Sequence, residues 1–97
     1  MPAESVGEQQ VCLISLTSDE ALVLFELLSR TLDSEKAAGL RTLVEDDSEI
    51  WALNAVLIEL ERSVSVLFAA DYKTHLSAAR SRVATINGGA WPWFQTE

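Results

Sequence analysis

Residues 46–68, DDSEIWALNAVLIELERSVSVLF, form the longest uninterrupted helical pattern in the chain, and the rest of the molecule is read outward from them. At about 100° per residue, Ile50, Leu53, Val56, Leu57, Leu60, Val64, Leu67 and Phe68 fall within one arc, the core stripe of an amphipathic helix. A second apolar series, Trp51, Ala55, Ile58 and Val66, lies nearly opposite and shares its side with Glu59 and Arg62. A helix with two apolar faces needs two partners. Either its own chain wraps both sides, or one side meets another subunit. Asp46 with Glu49 three residues on has the spacing of a capping box, and Glu45, Asp46, Asp47 and Glu49 sit at the positive end of the helix dipole. Those acids need no ligand to account for them.

Upstream, Thr17 and Glu20 form a second capping box that opens a helix running to Asp33. Ala21, Leu24, Phe25, Leu27, Leu28 and Leu32 make its core arc, while Glu26, Ser29, Arg30 and Asp33 make its polar one, with Glu26 and Arg30 in the favourable i, i+4 order. Leu22 and Val23 flank the polar arc and are the anomaly of this helix. Before it, residues 11–16, VCLISL, are a short apolar run with β-branched members ended by a polar cluster, which predicts a strand. Its backbone would need a ladder partner: residues 40–44, the C-terminal segment 90–94, or the same strand of a second copy. Cys12 in this run has no base or cation beside it in sequence and reads as a small packed hydrophobe.

Between the two helices, residues 33–44 are either a loop with one helical turn or a short helix broken at Gly39. After the long helix, residues 69–71 turn the chain and Asp71 is the expected cap of a third helix. Along it Tyr72, Leu76, Ala79, Val83 and Ile86 repeat at helical spacing, with Lys73, Arg80 and Arg82 on the outer face. Asn87, Gly88 and Gly89 stop it. The tail AWPWFQTE places Trp91, Trp93 and Phe94 around Pro92, which keeps the segment out of a helix. These aromatics either fold back as a lid over the core or anchor another chain.

The expected fold is therefore mainly α. A short N-terminal strand precedes about three helices, packed as a small bundle around the long central helix 46–68. One domain spans residues 1–97, with a flexible N-terminus at 1–10 and an aromatic C-terminal tail at 90–97. Area scaling predicts a loss of roughly 10,000 Å² of surface on folding, enough for a core without disulfide or structural metal. The net charge of −8 is uneven: residues 1–61 carry 13 acids and 3 bases, residues 62–97 carry 2 acids and 4 bases. That field repels phosphate backbones, so nucleic acid is not an expected partner, whereas a basic protein is. The lone cysteine fits a reducing compartment, and the sequence has neither an 18-residue uncharged apolar run nor the pattern of a signal peptide. A cytoplasmic location without membrane contact is the expectation.

The segments LTSDEALVLFELLSR, EIWALNAVLIELE and DYKTHLSAAR resemble a group of small uncharacterised bacterial proteins of similar length. Those share a strand, a helix of the type DEALVLFEWLSR, a second helix with Trp-x-Leu followed by leucines, and a third opened by Asp-Tyr. The matching positions are Asp19 to Glu26, Leu28, Arg30, Trp51, Leu53, Leu57, Asp71, Tyr72, Leu76, Ala79 and Arg80. Most are core leucines, and the tail around Pro92 lies outside the pattern. The resemblance implies a fold and carries over no activity and no functional residue.

Catalytic and metal chemistry find little to use. Asp71 and His75, one turn apart, have the spacing of a metal pair or an acid/base pair, but one histidine and one cysteine fall short of a four-coordinate site. Gly88-Gly89 follows a helix where a phosphate loop would open one, and no serine has a base at recognisable spacing. The expectation is a protein that is not an enzyme and uses no cofactor. Two functions remain. One is an acidic protein-interaction module, immunity-like, antitoxin-like or regulatory, acting as a homodimer; the other is a self-associating helical protein that holds a small apolar ligand. The candidate interface consists of Leu22, Val23, Trp51, Ala55, Ile58, Val66, Trp91, Trp93 and Phe94.

Overall fold

The computed structural model describes residues 10–67 and 69–92. Among them the chain forms α1 (Ser18–Asp33), a 3-10 helix (Ser34–Leu40), α2 (Asp47–Ser63) and α3 (Tyr72–Ile86). The mainly helical class is as expected. The strand is not: residues 10–17 form neither helix nor ladder, and Val11, Leu13 and Ile14 are exposed. Residues 40–44, one of the expected partners, end the 3-10 helix and turn. An apolar run without a partner for its N–H and C=O groups gains nothing from extended pairing. Cys12, expected to be packed, is exposed with the rest of this segment. The expected flexible terminus falls outside the described residues except for Gln10, as does Phe68.

Each helix begins where its local chemistry allows. For α1 the capping box is complete: the Thr17 N–H donates to Glu20 Oε1 at 2.9 Å and the Glu20 N–H to Thr17 Oγ1 at 3.0 Å. At α2, Asp46 is extended (φ −160, ψ 179) and its Oδ1 accepts the Ser48 N–H at 2.8 Å. The box expected with Glu49 is displaced by one residue, because Glu49 Oε1 accepts the N–H of Glu45 and not that of Asp46. Asp71 precedes α3 without a side-chain cap, since its carboxylate turns to His75. At the far end of α3 the Gly89 N–H reaches Ala84 O and the Gly88 N–H reaches Thr85 O, a Schellman closure with Gly88 at φ 103. Residues 34–40, expected as a loop with one helical turn or a short helix broken at Gly39, form one 3-10 helix that continues through Gly39, with Ala37 left-handed at φ 62.

The long helix is shorter than its pattern. It stops at Ser63, and Val64 adopts an extended ψ of 113 while its N–H closes the last turn on Leu60 O. Ser63 Oγ donates back to Glu59 O at 3.0 Å, and the Ser-Val-Ser-Val run is poor in helix formers. The released residues Val64, Val66 and Leu67 fold across and pack against Leu22, Leu76 and Ala79.

The central helix is α1, not α2. Its packing partners are α2, α3 and the 3-10 helix. One side of α1 meets α2 through Leu28, Leu57 and Leu60, with Leu24, Phe25, Leu32, Leu53 and Val56 around them. About 120° away, its other side meets α3 through Leu22, Leu76 and Ala79, beside Val23 and Tyr72. The helix with two buried faces is thus the one whose second face consisted of only two residues in the sequence. Leu22, only 5% exposed, is core.

Candidate interaction surface

The site candidates divide by what α1 needs. Leu22, Val23 and Val66 belong to the α1–α3 core, and polar ties bracket that packing. Arg82 donates to Asp19 from Nε at 2.7 Å and from Nη2 at 2.9 Å, and the Tyr72 hydroxyl donates to Glu26 Oε1 at 2.9 Å. The arginine bond holds the Asp19 carboxyl below its ordinary range. Burial, aided by the bond to Glu26, pushes the Tyr72 phenol up to about 12. Asp19, Leu22 and Glu26 stand at i, i+3 and i+7 on one line of α1. That line, a leucine between two acids, is the sequence signal for α3 docking that the apolar pattern alone does not show.

Trp51, Ala55 and Ile58 stay outside. Trp51 is 70% and Ile58 42% exposed, on the side of α2 away from the buried Leu57 and Leu60. Arg62 continues the stripe and pairs with Glu59 at 3.0 Å, both largely in solvent. No element among the described residues covers this side, because α2 packs inward on α1 and α3 packs on α1 in turn. Trp91 is also exposed, while Trp93 and Phe94 lie outside the described residues. On the third helix Ile86, expected in the core, is 81% exposed at the last turn.

Hollows also mark the surface of the described residues. One of about 230 Å³ lies where the α2–α3 connection crosses α1, lined by Ser18, Asp19, Leu22, Val64, His75 and Arg82 among others. A second of about 320 Å³ lies at the start of α2, between Ala37, Arg41, Val44, Asp46, Ile50 and Trp51. Both carry charged side chains in their walls, which suits water better than a small apolar ligand. His75 Nε2 and Asp71 Oδ1 are 3.1 Å apart at the first turn of α3, with His75 half-buried at the edge of the first hollow. Among the described residues no three His, Cys, Asp or Glu side chains converge, and no helix is long and apolar enough to cross a membrane.

No family model, curated protein or solved structure matches the chain.

Proposed function

We propose that the chain is a non-catalytic protein-interaction module that acts as a homodimer, with the outer side of α2 as the surface its partner copy covers. The observation that carries this is the exposure of Trp51 and Ile58 opposite the core side of the same helix. Tryptophan is costly to leave in water and enriched at the energetic centres of interfaces. Fully burying a large apolar side chain is worth ~1.5 to 3 kcal/mol, so covering what two copies of Trp51 and of Ile58 still expose contributes ~3 to 7 kcal/mol, which reaches the lower part of the association cost of ~4 to 15 kcal/mol. The net charge of −8 on each copy opposes self-association at long range, so the apolar stripe has to carry the contact.

Sedimentation equilibrium at micromolar concentration tests the proposal. A dimer is expected for the native chain and a folded monomer for Ile58→Asp. A native chain that sediments as a monomer at tens of micromolar overturns it.

A further inference from the structure

We infer that two copies pack α2 against α2 antiparallel, about a two-fold axis that passes beside Ala55. This rests on the homodimer proposed above and specifies its geometry. Asp47, Trp51, Ala55, Ile58 and Arg62 follow one another at spacings of 4, 4, 3 and 4, which places them within about 40° of a common line on the helix. All five are exposed. The small residue stands near the middle of α2 (Asp47–Ser63), where two helix backbones must approach most closely.

Charge selects the direction. Parallel copies would set Asp47 beside Asp47 and Arg62 beside Arg62, and would align the two helix dipoles. Antiparallel copies set Arg62 of each helix opposite the Asp47 end of the other, and the two-fold axis makes that contact twice. Trp51 then lies against Ile58 and Arg62 of the facing helix, an apolar contact with a guanidinium within reach of the indole face. Glu59 and Glu61 stand about 80° off the line on either side and stay at the solvent edge of the seam. The present Arg62–Glu59 pair is exposed and offers little resistance to being exchanged. Among the described residues α1 lies behind α2 and α3 packs on α1, while Ala37 and Arg41 border the Trp51 end of the stripe across a hollow.

Cross-linking of the full chain tests this. In a Cys12→Ser background, Ala55→Cys is expected to form a disulfide-linked dimer on mild oxidation, since residues at the axis come within the Cα separation a disulfide allows. Arg62→Cys is expected not to, because antiparallel copies hold those positions about 21 Å apart along the axis. The charge pair gives a second readout: Arg62→Glu should raise the dimer dissociation constant at least tenfold, and adding Asp47→Arg should restore it. If the native chain sediments as a dimer but Ala55→Cys fails to cross-link, or Arg62→Cys cross-links as readily, the antiparallel seam is overturned and the homodimer stands. A native monomer removes both.

Discussion

Leu57 is 5% exposed between Leu28 and Leu60, so Leu57→Ala is expected to cost ~2 to 5 kcal/mol through lost burial and the cavity left behind. The urea midpoint measures it, and an unchanged midpoint would contradict the α1–α2 core. Tyr72 offers a test at the opposite side of α1. Its phenol titrates at about 12 in the folded chain, against an ordinary value near 10. The folded state therefore holds this proton more tightly than the unfolded one between those values. The Tyr72 contribution to stability is full below about pH 10 and is lost as pH rises towards 12. Tyr72→Phe should lower neutral-pH stability by ~0.5 to 1.5 kcal/mol and remove that part of the alkaline loss. Urea midpoints on either side of pH 10, compared between the two chains, separate these effects. An alkaline loss of the same size in both chains would deny the phenol its role.

At the scale of the element, the start of α1 is a local affair. Thr17→Ala removes an acceptor for the Glu20 N–H and is expected to cost ~0.5 to 2 kcal/mol, read by thermal or urea unfolding. The ends of α2 and the surroundings of α3 are less local. The apolar stripe of α2 continues in sequence to Phe68, yet Val64, Val66 and Leu67 leave the helix to seal the α1–α3 contact. Periodicity could not show this, because the same valines suit a helix face and a connector that crosses a neighbouring core. Leu22 makes the point from the other side. On the α1 wheel it looks like a stray leucine beside acids, and only the position of α3 makes it core. Leu22→Asp should therefore unfold the chain in circular dichroism, whereas Ile58→Asp, on an exposed position of α2, should leave its helicity intact.

At the scale of the molecule, two small core clusters share α1, and the side of α2 that carries Trp51 and Ile58 lies outside both. For a chain that dimerises through that side, the melting temperature is expected to rise with protein concentration in the native chain and to stay constant in Ile58→Asp. A native melting temperature independent of concentration would count against a dimer. EDTA is expected to leave it unchanged, because one histidine and one cysteine supply too few soft ligands for a structural site. A drop on chelation would return Asp71 and His75 to consideration.

What the sequence determined by itself was local. Thr17 with Glu20 and Asp46 with Ser48 start their helices through atoms two or three residues apart, and Gly88 and Gly89 end α3 through backbone freedom. Leu28, Leu57, Leu60, Leu76 and Ala79 were legible as core because one helix period suffices to place them. The surplus of Trp51 and Ile58 was legible for the same reason. Only the tertiary structure decided that α1 is the shared helix, that α2 yields at Ser63, and that residues 11–16 form no ladder among the described residues. Each of these depends on which surfaces meet across tens of residues. Pairings such as Asp19 with Arg82 leave no periodic trace in the chain, because a contact between elements is set by their relative placement and not by the spacing within either one.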